Sequence, residues 1–462
     1  MIALSAAELA GILDGRLIGE GSTVVSGSVE TDSRRVEPGS IFVAMPGETT
    51  DGHLFASAAV AAGAALVIAE RDLDLPVPVI VVPSGVAALA DLAREVVARV
   101  RALGALRVVA VTGSNGKTTT KNLLRAILSA EGPTVAPEGS FNNHVGAPVS
   151  MLRVDEQTEF LVVEMGASHR GEISRLVSIA TPDIGIVLKV GMAHAGEFGG
   201  VDAVEAAKSE MVLDLPGSAV AVLNADDHRV ARMAGRTRAR VVTFGLGPGA
   251  DVRAEEVDAS LAGTSFTVVA DGERRPVRLR ILGEHHVYNA LAALAVAREL
   301  GVDPRRAIAA IEAVARAERW RMELLEAPAG HTIVNDAYNA SPDSMSAALR
   351  TLVQIAGGRR TIAVLGEMAE LGEYADEEHD RIGRLAVRLD VRRLVVVGER
   401  ARHIHLAASQ EGSWDGESVL VPDPDAAYDL LREELRAGDV VLVKSSNSAG
   451  LRLLGDRLAE IG

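Results

Sequence analysis

Residues 106–121, LRVVAVTGSNGKTTTK, constrain the fold more than any other stretch of the chain. An unbroken apolar run, a Gly/Ser/Asn turn and a Lys-Thr-Thr-Thr start to a helix follow one another without a spacer. Such a run suits a strand covered on both faces, as in the mostly parallel sheets of α/β proteins. The turn then aims backbone N–H groups at one point, and Gly113 and Gly116 let the backbone come close to whatever sits there. Ser114 and Asn115 fill the turn between them. The helix from about Lys117 adds the positive end of its dipole and Lys117 reaches the outer phosphates. The Thr118 hydroxyl, followed by Thr119, is placed to ligate a magnesium ion. ATP is therefore the expected ligand, although Val111 stands where the usual phosphate-loop pattern has its first glycine.

The chain has 462 residues, enough for about three domains. Its formal net charge of -16 argues against a nucleic-acid partner, whose phosphates need a basic face. The absence of cysteine excludes disulfide staples, thiolate catalysis and cysteine-ligated zinc. A cytoplasmic protein is the natural reading. The opening MIALSAAELAGILDG reads as a helix capped by Ser5 with Glu8 and closed at Gly15, rather than as a signal peptide. Residues 54–69 are uncharged but rich in Ala and Gly and too short to span a bilayer, so no membrane insertion is expected.

The first part of the chain, 1–104, alternates strands at 41–44, 66–69 and 79–82 with helices at 54–62 and 86–103, a small α/β unit. Its loops TDSRR and PGETTDGHLF are polar, and suit either an anionic ligand or plain solvation. From 105 to 318 the strand–helix pattern repeats, with apolar runs at 107–111, 160–165, 183–190 and 219–224. Ligands of such sheets gather at the carboxyl ends of the strands. Glu164 ends the second run, where a carboxylate either holds a metal or caps the next helix. His194 lies in the glycine-flanked loop after the third run, either as a surface residue or facing the cradle. Lys208 falls on the apolar stripe of Val201, Val204, Met211 and Leu215. It either snorkels to water or is buried with a lowered pKa, and a neutral amine there reacts with carbon dioxide to give a metal-binding carbamate. His285 and Asn289 share a helical face and serve either as caps or as contacts to a nucleotide base. From 319 to 462 a third α/β unit has strands near 332–334, 361–365, 394–397 and 440–443. Its loops NDAYNASPDSM, GEMAELGEYADEEH and KSSNSAG follow strand ends, with Asp336, Asn339 and Lys444 at the ligand edge; a helix cap accounts for most of Ser341, Pro342 and Asp343.

Taken in order, TGSNGKTTTK, EGSFNNHVGAP, VVEMGASHRGEI, the Ala193-His194 loop, AAKSE, LNADD, GEHHVYNALAA, DAYNASPDSM, LGEMAELGE and VLVKSSNSAG resemble the motifs of the Mur ligases. The resemblance runs the length of the chain. With TDSRR, DGHLF and FNN it is nearest to the members that add D-alanyl-D-alanine. It implies a small N-terminal α/β substrate domain, a central P-loop-type domain with a mostly parallel sheet, and a C-terminal Rossmann-like domain. It also implies ligation of D-Ala-D-Ala to UDP-MurNAc-tripeptide through an acyl phosphate for peptidoglycan synthesis; apart from the resemblance, nothing in the sequence suggests a coiled coil or a large apolar patch, and a monomer is expected. By resemblance Lys117, His194 and Lys208 are catalytic, and the cradle 113–119 with Asn289, Arg321 and Asp336 binds the nucleotide. Thr118, Glu164, His194 and carbamylated Lys208 hold two magnesium ions, while Asp32, Ser33, Arg34, Asn142 and Asn143 face the UDP-linked substrate. ATP and substrate are expected to draw the C-terminal domain over the central one. Pro46, His286 and Ser209 stand where the family often has lysine, asparagine and glycine. A sister ligase, such as the one adding the third stem residue or a folylpolyglutamate synthetase, and a non-catalytic nucleotide-binding homologue are the alternatives.

Overall fold

The computed structural model describes every residue except Glu48, Thr49, Glu138, His194, Ala317 and Ser413, together with the side chain of Ala195. Three α/β units follow one another. The first is built on a five-stranded sheet in which Val29–Glu30, Ile41–Ala44, Leu66–Ala69 and Val79–Val81 run parallel and Arg16–Ile18 closes one edge antiparallel. Its opening helix, Ala6–Ile12, has the expected capping box between Ser5 and Glu8. The long helix Gly85–Ala102 packs Leu89, Leu92, Val96 and Val97 into the core at 2% exposure or less. Each such side chain contributes roughly 1.5–3 kcal/mol relative to an exposed position.

The central unit carries a nine-stranded sheet. Arg107–Thr112 lies inside it, flanked in parallel by Phe160–Glu164 on one side and Ile184–Val187 on the other. Val220–Asn224 and Arg240–Gly245 continue the parallel run, and the meander Val252–Ser260, Gly263–Ala270 and Glu273–Leu279 finishes it antiparallel. Arg107–Thr112, Phe160–Glu164, Ile184–Val187 and Val220–Asn224 are buried on both faces over nearly their whole length, which is why they read as apolar runs. The third run is regular only over Ile184–Val187, not 183–190. Beyond it the chain leaves the ladder to serve the phosphate loop: Lys189 accepts from Ser114 N at 2.8 Å through its carbonyl, and Asn224 Nδ2 donates to Leu188 O at 2.9 Å.

The C-terminal unit has a six-stranded sheet in which Thr332–Asn335, Val440–Lys444, Thr361–Leu365, Arg393–Val397 and Glu417–Val421 are parallel neighbours and Glu323–Glu326 is an antiparallel edge. The strand ends of the central and C-terminal sheets face one another across a cleft, lined from one side by the phosphate loop and from the other by Asp336 and Lys444. Among the described residues, no helix is long and apolar enough to cross a membrane.

Candidate active site

The phosphate loop is held open by two glycines. Gly113 has φ +148° and Gly116 φ +87°, and a Cβ on Gly116 would stand 2.3 Å from Asn289 Oδ1. Only glycine fits so close under a neighbouring side chain while taking a left-handed backbone. The helix Lys117–Ser129 begins directly after, with its N–H groups turned to the cleft. Lys117 folds back on its own loop, Nζ donating to Gly113 O at 2.7 Å. Its burial lowers its pKa, opposed by Glu164 and reinforced by Arg321.

Thr118 Oγ1 donates to Glu164 Oε2 at 3.1 Å and lies 3.2 Å from Ser140 Oγ; Asn142 Nδ2 donates to Glu164 Oε1 at 2.8 Å. Glu164 is therefore beside the cradle at the end of its strand, and it caps no helix. Asn143 also lines the cleft, but its Oδ1 accepts from Val145 N and Gly146 N in the turn just before the helix Gly146–Met151. Lys208 is 3% exposed and does not snorkel. Its Nζ reaches Ala167 O only at 3.5 Å and lies 5.7 Å from the Phe198 ring centre. Burial, with Lys117 nearby, pushes its pKa down to about 7. His194 lies outside the described residues.

From the C-terminal side, Arg321 donates to Ser140 Oγ at 3.1 Å and stacks over Tyr338 at 4.3 Å. Asp336 accepts from Lys444 Nζ at 2.6 Å and from Met322 N at 3.1 Å, so the buried Lys444 acts as its counter-ion. Asn289 Oδ1 accepts from Thr120 Oγ1 at 3.3 Å, and its amide lies 3.1 Å from His286 Nδ1. Burial holds both His285, at about 4, and His286 below the usual imidazole pKa. The two ring centres lie 4.1 Å apart with the planes tilted by 42°.

These groups line one cavity of about 600 Å³. A second, of about 410 Å³, adjoins it past Asn115, Gly116, His285 and Asn289 and is bounded by Asp226 and Tyr288. Four buried side-chain atoms with no hydrogen-bond partner, Asn115 Nδ2, His285 Nδ1, His286 Nε2 and Arg321 Nε, belong to residues of the larger cavity. Buried polar groups are normally paired, so this convergence of unpaired atoms singles the cavity out as the candidate site.

The structure does not bring Asp32, Ser33 and Arg34 into the cavity wall. Asp32 pairs with Arg34 and caps the turn that follows, and this lowers its pKa to about 2. The next residue, Arg35, makes the link instead: its guanidinium lies 5.3 Å from the centre of the Phe141 ring, beside Asn142. Sequence reasoning also passed over Lys121. It is fully buried, and its Nζ donates to Pro137 O at 2.7 Å and Gly139 O at 2.8 Å, pinning the loop that presents Ser140 and Asn142. The available signal was a lysine one helical turn after Lys117, on a helix whose same face enters the core.

Models of known families match the chain in three consecutive pieces: the Mur ligase family catalytic domain over residues 27–108, the Mur ligase middle domain over 111–297, and the Mur ligase glutamate ligase domain over 320–447. The UDP-N-acetylmuramoyl-tripeptide--D-alanyl-D-alanine ligase of Mycobacterium tuberculosis is 46% identical, with 99% of this chain and 98% of the relative covered. The Escherichia coli protein of the same name is 33% identical over the whole of both chains (100% each). Among solved structures, MurF from Acinetobacter baumannii superposes with a TM-score of 0.89 at 31% identity, covering 99% of each chain. MurF ligase from Thermotoga maritima in complex with ADP gives 0.81 at 30% identity, covering 94% of this chain and 97% of that one. With three family models in order and relatives this similar from end to end, the chain belongs to the Mur ligase family.

Proposed function

We propose that this protein joins D-alanyl-D-alanine to UDP-N-acetylmuramoyl-tripeptide at the expense of ATP, supplying UDP-MurNAc-pentapeptide for peptidoglycan. The named relatives share that activity. The observation that carries the reading is the cavity in which the phosphate loop, Glu164 and unsatisfied donors from two domains converge. In the first step an oxygen of the tripeptide carboxylate bonds to the γ-phosphorus of ATP as the β–γ bridging bond breaks, giving acyl phosphate and ADP. The dipeptide amine then bonds to the acyl carbon, loses its proton, and phosphate leaves.

The obstacle is charge. A carboxylate and a phosphate oxygen about 4 Å apart repel by ~4 kcal/mol at an effective dielectric of 20. Lys117 and Arg321 offset this, the first from the loop's own helix and the second from across the cleft. Thr118 and Glu164 form a hard oxygen pair 3.1 Å apart beside the phosphate loop, a donor set that fits magnesium, which takes one or two carboxylates and fills its sphere with phosphate oxygens and water. A magnesium ion held there by Thr118 and Glu164 would supply charge neutralisation at the phosphates. His194 and a carbamate on Lys208 are the pair we assign to a second ion. Lys208 qualifies because it is buried beside the cleft and half neutral near pH 7, and because its ammonium form holds no metal. Asn289 and Asp336 are assigned to adenosine, and Asn142 and Asn143, with Asp32, Ser33 and Arg34 behind Arg35, to the UDP-linked substrate. The loops after 365 and 444 complete the dipeptide end. We divide the chain at about 104 and 318, and read it as a cytoplasmic monomer.

The test is phosphate release from ATP with magnesium and UDP-muramoyl tripeptide, run with D-Ala-D-Ala, with single amino acids and with glutamate. Release that requires the dipeptide, with a pentapeptide product by mass, supports the assignment. Turnover with a single amino acid instead moves the protein to a sister ligase, and none with any acceptor leaves a nucleotide-binding homologue.

A further inference from the structure

Asp343 lies in the first turn of a helix, where an acidic side chain ordinarily serves the helix's own N-terminus, but its carboxylate is used elsewhere. It is the second residue of the helix Pro342–Ala356, whose cap is Ser341 in a reciprocal pair with Ser344. The Asp343 carboxylate crosses to the central domain instead. One oxygen accepts from Lys189 Nζ at 3.0 Å, the other from Met192 N at 3.2 Å. The approach is so close that a Cβ on Gly191 would stand 2.1 Å from Asp343 Oδ2. Five residues further on, Gly196 N donates to Glu370 O at 3.2 Å, and a Cβ on Gly196 would meet Gly372 N at 2.5 Å. Glu370 takes a left-handed backbone, φ +64°, in making that contact, a conformation that a non-glycine residue rarely adopts. The C-terminal domain thus contacts the central one at Gly191 and Met192 and again at Gly196.

The same segment is tied to the phosphate loop. Ser114 N donates to Lys189 O at 2.8 Å, and Gly191 N donates to Ser114 Oγ at 2.9 Å. Residues 189–191 therefore touch the nucleotide cradle on one side and the C-terminal domain on the other.

We propose that Asp343 is a positioning residue that couples closure of the C-terminal domain to the arrangement of Lys189, Gly191 and Met192 against the phosphate loop, so that phosphoryl transfer is set up only in the closed molecule. This rests on the ligase reading above. The ion pair itself is not the working part. Lys189 is 45% exposed, and an exposed pair contributes little. The amide of Met192 and the close fit at Gly191 carry the coupling, because a carboxylate there leaves one arrangement of the segment.

The test uses the full chain and two readouts. In steady-state turnover, Asp343→Ala lowers kcat by about 10- to 100-fold, the scale set by misplacing catalytic groups by about 1 Å, while the Kd for ADP by calorimetry moves by less than about threefold. Gly191→Ala behaves alike, and Lys189→Met stays within about fivefold of wild type. In hydrogen exchange, ADP slows the amides of Met192 and Gly196 in the wild type and not in Asp343→Ala, with an unchanged melting midpoint showing that the variant is folded. Wild-type kcat in Asp343→Ala overturns the proposal. So does a lost kcat accompanied by wild-type protection of Met192 and Gly196, which reduces Asp343 to a helix-end role. If the wild type itself shows no dipeptide-dependent turnover, the ligase reading fails, and the exchange experiment, which needs only ADP, still decides the coupling.

Discussion

Lys208 shows how one side chain can be set against the fold that holds it. Its ammonium is buried with one weak carbonyl contact, and its pKa falls from 10.5 to about 7. The sign follows. A lysine whose folded pKa lies below its unfolded one destabilises the fold fully below about pH 7, and the penalty fades as pH rises toward 10.5. Lys208→Met therefore abolishes turnover yet raises the melting midpoint at neutral pH by a few degrees; a lower midpoint would contradict the burial argument. The proposed carbamate predicts that turnover falls as pH drops through about 7, where the amine takes up its proton, and that it falls on removal of carbon dioxide at constant pH. A flat profile from pH 6 to 8 would argue against the modification. Lys121 makes the complementary case, a buried cation satisfied by two carbonyls. Lys121→Met is expected to cost about 2–4 kcal/mol of stability by stranding those carbonyls. Lys121→Arg should recover much of it in chemical denaturation.

At the scale of elements, the glycine turn between strand and helix was legible because each part has a distinct physical signature: a run buried on both faces, residues that allow positive φ, and hydroxyls at a helix start. Gly116→Ala tests it, since the new methyl meets Asn289 and the left-handed backbone at once. Nucleotide affinity should drop at least tenfold, measured by calorimetry, with the fold otherwise intact. Glu164 and Lys208 could be picked out for a related reason, a charge at the end of an apolar run or on an apolar stripe. What the pattern did not disclose are contacts between elements far apart in sequence. Arg35 on Phe141, Lys121 under the 137–140 loop, Ser140 between Thr118 and Arg321, and Asp343 on Met192 all depend on how loops meet in space. Nothing in local spacing encodes that. Asp343 in particular follows Ser-Pro, so its local pattern fits a cap, and only the neighbouring domain shows otherwise.

For the whole molecule, the order of α/β units was readable from the repeated strand–helix pattern, whereas the place of Arg107–Thr112 inside a nine-stranded sheet was not, because crossover connections leave the neighbour of a parallel strand open. The central and C-terminal domains touch through Asn115 with Ser341, Ser140 with Arg321, and Lys189 with Asp343. Arg321 lies over the cleft with Nε unsatisfied. Arg321→Ala should weaken ATP binding by about 10- to 100-fold, the loss of a charge-assisted contact, and should reduce the rise in melting midpoint that ATP gives the wild type. Unchanged affinity would mean that the C-terminal domain does not reach the phosphates.

The central claim is that one cleft passes the γ-phosphate of ATP to a carboxylate before an amine displaces it. The direct measurement is the mass of released phosphate when the terminal carboxylate of UDP-muramoyl tripeptide carries oxygen-18 and D-Ala-D-Ala is the acceptor. The account predicts phosphate that contains one labelled oxygen and appears with the pentapeptide. Unlabelled phosphate, or release that does not need the tripeptide, would contradict it.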